Sequence, residues 1–137
     1  MIRQADPEVV VIGGGPSGST AATLVAASGR SVMLFERDHF PRYHVGESLI
    51  PETFWVLDRL GILPKLRGGP FIEKHSVQFV SEQGKVSEPF YFADYKAHES
   101  SRTWQVTRRE FDQLLLDNAR SKGVTVEEGV RVLEVLF

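Results

Sequence analysis

Cysteine is absent from the 137-residue chain, and this absence excludes disulfides, thiolate metal sites and cysteine nucleophiles. No apolar run approaches the ~20 residues that a membrane-spanning helix needs, and the polar start of the chain lacks the layout of a signal peptide. The four histidines show no metal-ligand spacing. The formal net charge of −2 does not indicate a nucleic-acid-binding surface. These absences predict, by default, a cytoplasmic protein without a metal, a nucleic-acid partner or a membrane span.

What the sequence does contain is a glycine-rich segment between a strand pattern and a helix pattern. Residues 8–12 form a β-branched run, which is typical of a parallel strand buried on both faces. Residues 19–28 have the composition of a helix, and Gly29 follows in the usual C-cap position. A second strand pattern at 31–35 completes a βαβ unit in under 40 residues.

The loop between the first strand and the helix reads Gly13-x-Gly15-x-x-Gly18. In a dinucleotide-binding loop, Gly13 permits the tight turn, Gly15 lets the backbone approach a diphosphate, and Gly18 lets the helix pack close to the strand. Pro16 suits the first turn of a helix. The N–H groups from Ser17 onward, with the positive end of the helix dipole, would face the phosphates. The alternative for such a loop is a tight turn without a ligand.

Glu36 closes the second predicted strand. A carboxylate at this place can accept hydrogen bonds from both ribose hydroxyls of an adenosine, and it would repel a 2′-phosphate, which argues against NADP. A solvated acid at a strand end is the alternative. Because the loop, the helix, the strand and the acid stand in register, the segment predicts a site for the ADP half of FAD or NAD(P), with FAD favoured.

The rest of the chain alternates between helix and strand patterns. Alternation of polar and apolar residues indicates strands, and apolar residues three to four apart indicate helices. The predicted elements are a helix at 52–60, antiparallel strands at 76–80 and 86–92, a short strand at 103–106, a helix at 107–122, and strands at 124–127 and 130–137.

At this point the sequence resembles the FAD-dependent halogenases and their monooxygenase relatives, and geranylgeranyl-reductase-type flavoproteins share much of its layout. The resemblance is carried by residues 9–18, by Glu36-Arg37 and above all by 40–51, with the order Arg-x-His-x-Gly-Glu-Ser-Leu-x-Pro. It implies an α/β fold, a Rossmann-like FAD-binding domain of glutathione-reductase type with an inserted antiparallel β-sheet.

The implied domains are the first part of the FAD-binding domain at 1–69, the start of a substrate-side sheet at 70–106, and a return to the FAD-binding domain at 107–137. The final residues, 133–137, are apolar and strand-like. We therefore expect the sequence to be the N-terminal piece of a longer protein, and the fold to be incomplete.

The resemblance also implies FAD as the cofactor and a set of residues around it. Arg42 would lie near the ribityl or the pyrophosphate, and residues 46–48 near the isoalloxazine. Arg108, for which a surface charge at a helix start is the alternative, would reach FAD from the far side. The predicted cofactor-binding set is Gly13, Gly15, Pro16, Ser17, Gly18, Glu36, Arg37, Arg42, Gly46, Glu47, Ser48, Gln105 and Arg108.

Lys74 is the candidate catalytic residue, because residues 71–79 resemble the halogenase segment that carries the active-site lysine. In those enzymes reduced FAD, O₂ and chloride generate hypochlorous acid, which reaches the lysine through a tunnel. A buried lysine can have a lowered pKa suited to such chemistry. The sequence departs from the family pattern at Ser76, where glycine is usual, and at Val80, where an aromatic is common. A solvated charge at a strand start is the alternative for Lys74.

The resemblance thus implies an FAD-dependent oxidoreductase of the monooxygenase or halogenase type. It would use reduced FAD and O₂ on a small aromatic substrate, with NAD(P)H acting directly or through a partner flavin reductase. Two alternatives remain at the level of the sequence. One is a geranylgeranyl-reductase-like enzyme that reduces prenyl chains, and the other is a non-catalytic module that binds FAD or NAD.

Overall fold

The computed structural model describes residues 6–136, and these fall into two compact units. The first unit comprises the described residues up to 46 together with those from 108 onward, and the second comprises Glu47–Thr107. The second unit therefore includes residues 47–69 as well as the predicted insertion at 70–106. The assignment of 47–69 to a FAD-binding domain stays a prediction. Within residues 6–136, no helix has the length and apolarity needed to cross a bilayer.

Helices and strands alternate along the described chain. In order, the elements are β1 (Val9–Ile12), α1 (Pro16–Ala27), β2 (Val32–Glu36), α2 (Thr53–Arg59), α3 (Leu63–Arg67), β3 (Ile72–Lys74), β4 (Ser76–Val77), β5 (Phe90–Tyr91), β6 (Thr103–Gln105), α4 (Arg108–Ser121) and β7 (Thr125–Glu128).

The first unit is built on a parallel sheet with the strand order β1-β2-β7. Helices α1 and α4 pack against each other and against one face of β2, because short side chains on α1 allow a close approach. The core of this unit is Ala22, Val32, Leu34, Leu116, Ala119 and Val124. This arrangement confirms the predicted α/β class and the βαβ unit with its parallel strands.

The opposite face of β1 departs from the prediction. Val10 and Ile12 are 51% and 56% exposed, so the expectation of a strand buried on both faces is wrong for the described residues. The physical reason is that α1 and α4 cover the face of the sheet that carries Val32 and Leu34.

The predicted strand at 130–137 is also wrong over its described part, since residues 130–136 form no strand. Gly129 has a φ of +74°, which turns the chain out of β7. The N–H of Val130 donates to the carbonyl of Glu36 at 2.9 Å, and this bond ties the start of the segment to the tip of β2. Phe137 lies outside the described residues.

The second unit contains two short antiparallel pairs, β3 with β6 and β4 with β5. Its core is formed by α2, α3 and β6 and consists of Phe54, Leu57, Leu60, Ile62, Leu63, Leu66, Trp104 and Val106. Helix α3 was not predicted, because its five residues are too few for a clear apolar period. Trp104 is 2% exposed, whereas Trp55 is 45% exposed and stacks on His98 with ring centroids 5.1 Å apart.

The predicted strands at 76–80 and 86–92 are much shorter in the structure. Regular pairing is confined to β4 and β5, with one further bridge between Val80 and Val86. In between, the N–H of Ser87 donates to the carbonyl of Phe79 at 2.9 Å, whereas the N–H of Phe79 donates to the hydroxyl of Ser87 at 3.0 Å instead of to a backbone carbonyl. Phe79 and Val80 are each 67% exposed, so this hairpin has no packed face that would hold a longer ladder.

Candidate functional site

The glycine loop joins β1 to α1 through a turn that needs glycine. Gly13 has a φ of +99°, a region that side chains disfavour, and its N–H donates to the carbonyl of Phe35 at 2.8 Å. Helix α1 has Gly15 as its N-cap and proline in its first turn. The first bond of the helix runs from the N–H of Ser19 to the carbonyl of Gly15 at 2.9 Å. The N–H groups that precede this bond belong to the free start of the helix, where anions bind well.

Gly18 stands at the closest approach between α1 and the loop. A Cβ built on Gly18 would lie 1.8 Å from the carbonyl oxygen of Gly13, so no other residue fits there without moving backbone. A Cβ on Gly15 would meet only Nη2 of Arg42, at an ordinary 3.5 Å. Gly18 therefore serves the packing of helix on strand, and Gly15 leaves an open surface beside a guanidinium.

Glu36 lies at the tip of β2 and points to the glycine loop. Its side chain is largely buried, one carboxylate oxygen accepts the N–H of Gly14 at 2.6 Å, and the other accepts the N–H of Asp38 at 2.9 Å. Burial by itself raises the pKa of Glu36, but these backbone bonds and the nearby Arg42 outweigh it, so the pKa lies below its usual value. Each carboxylate oxygen has a second lone pair, which leaves an ionised Glu36 able to accept hydroxyl donors.

Arg42 is held beside the glycine loop by acidic neighbours. Its guanidinium lies 3.7 Å from the carboxylate of Glu36, 3.8 Å from that of Asp38 and 3.1 Å from that of Asp112. The guanidinium also covers the ring of Phe40, 4.4 Å from its centroid, which is a cation–π distance. The loop after β2, which carries the predicted Arg42, therefore folds back toward the start of α1.

A cleft of about 380 Å³ opens at this place in the first unit. Backbone N–H groups at a helix start, a guanidinium and a carboxylate on its wall are the donor and acceptor types that a diphosphate and a ribose require. The residues present therefore fit the ADP half of FAD. The cleft is lined by Ile12, Gly13, Gly15, Phe35, Glu36, Arg37, Asp38, Arg42, His44, Val130, Arg131 and Val132.

Five predicted residues are thus brought together on the wall of one cleft, and Pro16, Ser17 and Gly18 begin the helix next to it. Their role as cofactor ligands stays a prediction. The sequence analysis missed Asp38, which follows the strand tip, and Arg131, which reaches the cleft from beyond β7. The proximity of Asp38 to Glu36 could have signalled the first, but no local pattern marks the second.

Arg108 lies at the first position of α4 and supports the chain just before Gly46. Its Nε and Nη2 donate to the two oxygens of Asp112 at 2.7 and 3.0 Å, and its Nη1 donates to the carbonyl of Val45 at 2.6 Å. The bonds to Asp112 raise the pKa of Arg108, against the opposing effect of burial. Gly46 has a φ of +103°, and a Cβ there would lie 3.2 Å from Nη1 of Arg108. The predicted residues Gly46 and Arg108 are therefore neighbours within the first unit.

Asp112 was missed as a site residue, although the sequence carries its signal. It stands four positions after Arg108, the spacing at which an acid and a base meet on one helix face. The structure adds Arg42 as a second cationic partner.

The remaining predicted residues lie together in the second unit. The ammonium of Lys74 donates to the hydroxyl of Ser48 at 2.6 Å and to the carbonyl of Leu49 at 3.0 Å. The backbone of Ser48 pairs with that of Gln105 of β6 in an isolated antiparallel β-bridge, and the carbonyl of Glu47 accepts the N–H of Val106 at 2.7 Å.

Burial lowers the pKa of Lys74, and its ammonium lies 5.6 Å from the ring centroid of Phe92. Lys74 is therefore engaged by neighbours and is not a freely solvated charge. Its catalytic role stays a prediction.

Comparison with known proteins gives consistent matches along the chain. Residues 8–98 match the family described as "Tryptophan halogenase". A tryptophan 2-halogenase of Chondromyces crocatus is 42% identical over 130 residues, which cover 95% of this chain and 24% of that protein. A flavin-dependent halogenase of Armillaria mellea is 39% identical over 131 residues, 95% of this chain and 25% of that protein. The chain thus spans about a quarter of the length of these relatives.

Solved structures give the same picture. A myxobacterial chondrochloren halogenase, described as a variant of FAD-dependent halogenases, superposes with a TM-score of 0.88 at 38% identity, covering 96% of this chain and 30% of that one. A flavoprotein/dehydrogenase of Cytophaga hutchinsonii superposes with a TM-score of 0.87 at 39% identity, covering 96% of this chain and 32% of that one. The fold of the described residues is therefore the FAD-binding fold of these flavoproteins.

Proposed function

This chain belongs to the tryptophan halogenase family, and from that membership we propose that it is the flavin-binding part of an FAD-dependent halogenase or monooxygenase. The substrate would be a small aromatic molecule. Reduced FAD would be supplied by a separate flavin reductase that consumes NAD(P)H. FAD supplies the redox chemistry with O₂, whereas the chain binds, orients and shields the cofactor.

The observation that carries this proposal is the cleft beside the glycine loop. Glu36 is largely buried, fixed by the N–H of Gly14 and placed on the wall of the cleft, where its remaining lone pairs would accept the ribose hydroxyls. Arg42 stands beside Gly15, where a Cβ is absent and a diphosphate can approach the backbone. These residues would hold the ADP half of FAD.

In the second unit, Lys74 is the residue that we propose to act on the substrate side. Its ammonium is a hydrogen-bond donor fixed by Ser48 and Leu49, and its lowered pKa lets it lose a proton more readily than an exposed lysine. Such a group can bind a hypohalous acid by a hydrogen bond. When deprotonated, its amine can also take the halogen from that acid, forming an N–halogen bond with release of water. The halogenase names among the relatives favour this function over a prenyl reductase or a non-catalytic module.

The test uses the full-length protein that carries this sequence. FAD binding is measured by quenching of flavin fluorescence, and turnover is measured with NADH, a flavin reductase, O₂, chloride or bromide and a panel of indoles, phenols and pyrroles. Mass spectra with the halogen isotope pattern would support a halogenase, and oxygenated products without halogen would support a monooxygenase. A protein that binds no FAD, or that binds FAD and modifies no member of the panel, would contradict the proposal.

A further inference from the structure

Asp112 is a fully buried carboxylate in the middle of the first unit. It lies on α4 and accepts three N–H bonds, two from Arg108 and one from Arg42. A buried acid is tolerated only when it is paired and hydrogen-bonded. The side-chain partners of Asp112 are therefore the guanidinium groups of Arg108 and Arg42.

The two arginines extend from Asp112 in different directions. Arg42 extends toward Glu36 and toward Gly15, whose lack of a side chain leaves space for the guanidinium, and it lines the cleft there. Arg108 reaches toward the carbonyl of Val45 and the backbone of Gly46. Residues 42 and 112 are separated by 70 positions in the sequence, so Asp112 also ties the loop after β2 to α4.

The charges in this cluster alternate. From the cleft inward they run from the carboxylate of Glu36 to Arg42, Asp112 and Arg108. The guanidinium of Arg42 has buried acids on two sides, and its side chain is only 12% exposed. Without the charge of Asp112, the carboxylates left beside Arg42 would be Glu36 at 3.7 Å and Asp38 at 3.8 Å. Glu36 is the carboxylate that is proposed to accept the ribose hydroxyls.

We propose that Asp112 is a positioning residue for cofactor binding. It holds Arg42 beside the glycine loop by a contact of 3.1 Å, shorter than the 3.7 Å between Arg42 and Glu36, and it also holds Arg108 beside Gly46. One buried carboxylate thus orients both predicted flavin-binding arginines. Asp112 acts through these arginines and does not touch the cleft itself. The inference rests on the proposed function, because it takes FAD as the ligand of the cleft.

The experiment compares FAD titrations of the full-length protein and its variants, read by flavin fluorescence. Asp112→Asn keeps the shape and removes the charge, and it is expected to weaken FAD binding roughly 10- to 100-fold. The matched control is Asp117→Asn on the same helix, whose carboxylate is exposed and pairs with Arg120. This control is expected to bind FAD within about twofold of the wild type.

A purely structural role is separated from a positioning role by a double-mutant cycle. If Asp112 acts through Arg42 and Arg108, then Asp112→Asn costs less affinity in the Arg42→Gln background than in the wild type, and the remaining loss acts through Arg108. Fully additive losses, or wild-type affinity of Asp112→Asn, would overturn the inference. A wild-type protein that binds no FAD would overturn both this inference and the proposed function, whereas FAD binding by the wild type with no effect at Asp112 overturns the inference alone.

Asp112→Asn leaves two largely buried arginines without their shared carboxylate and could therefore unfold the protein. A second, charge-balanced variant separates a loss of folding from a loss of FAD binding. The double change Asp112→Asn with Arg108→Gln removes one charge of each sign and leaves Arg42 in place. Its circular dichroism melt reports folding without flavin. It is expected to bind FAD more weakly than Arg108→Gln alone, and equal affinity of these two variants would refute the positioning role.

Discussion

The contact between Gly18 and the carbonyl of Gly13 allows the sharpest prediction about stability. Gly18→Ala would place a Cβ 1.8 Å from that oxygen, and real Cβ atoms stay at least 3.0 Å away. The helix or the loop must therefore move by about 1.2 Å. The loop cannot yield easily, because the N–H of Gly13 is bonded to the carbonyl of Phe35.

The magnitude follows from two opposing effects. Alanine is better than glycine inside a helix by roughly 1 kcal/mol, whereas forcing extra atoms into a packed site costs roughly 1–3 kcal/mol and more where backbone must shift. Backbone must shift here, so we expect a net loss of about 2 kcal/mol in the free energy of unfolding. Gly15→Ala is the matched control, because its Cβ meets only Arg42 at 3.5 Å and the backbone φ is −67°. It should leave stability within about 0.5 kcal/mol.

The assay is urea unfolding of the full-length variants without FAD, followed by far-ultraviolet circular dichroism, together with FAD titration. Gly18→Ala should lower the urea midpoint, whereas Gly15→Ala should keep the midpoint and weaken FAD binding by crowding the diphosphate. A Gly18→Ala protein as stable as the wild type would refute the close approach of α1 to the loop. A Gly15→Ala protein that is destabilised as strongly would refute the assignment of Gly18 to helix packing and of Gly15 to the ligand surface.

Three further predictions concern ionisable groups. Glu36→Ala should weaken FAD binding by about 1–3 kcal/mol, the worth of a lost charged hydrogen-bond set, and an unchanged dissociation constant would remove Glu36 from the site. Despite burial, the backbone bonds to Glu36 hold its pKa in the folded protein below its usual value. Its stabilising effect is therefore complete above the unfolded pKa and fades as the pH falls through the folded pKa. Glu36→Gln should therefore lose less stability between neutral and acid pH than the wild type, and parallel acid profiles would exclude this effect. Lys74→Met should abolish substrate modification but keep FAD binding, whereas Lys85→Met in the exposed hairpin turn should keep both, and turnover by Lys74→Met would rule out its catalytic role.

The sequence predicted the βαβ unit and helix α4 of the first unit because their signals are local. A tight turn, a helix start and a strand tip each require particular residues within a few positions, as Gly13, Gly18 and Glu36 illustrate. The loop and the acid lie at the ends of two neighbouring parallel strands, so the predicted loop and acid meet in the structure. The starts of α1 and α4 differed from expectation by no more than three residues.

The features that the sequence did not predict depend on contacts between distant segments. Asp112 takes its place in the site from Arg42, 70 positions away, and Arg131 reaches the cleft only because the chain turns at Gly129. The predicted strand at 76–80 is longer than the observed one because this hairpin lacks contacts with distant segments. Alternation of polar and apolar residues gives a long ladder only where one face is packed. Phe79 remains exposed, so the local pattern had no tertiary support.

The positions of the two tryptophans determine from which unit the intrinsic fluorescence of this chain arises. Trp55 and Trp104 are the only tryptophans of the chain, and both lie within Glu47–Thr107. The first unit contains no tryptophan of its own, so its unfolding is followed by far-ultraviolet circular dichroism rather than by intrinsic tryptophan emission. Iodide should quench Trp55, which is 45% exposed, and spare Trp104, which is 2% exposed, so the two emitters can be told apart without mutation.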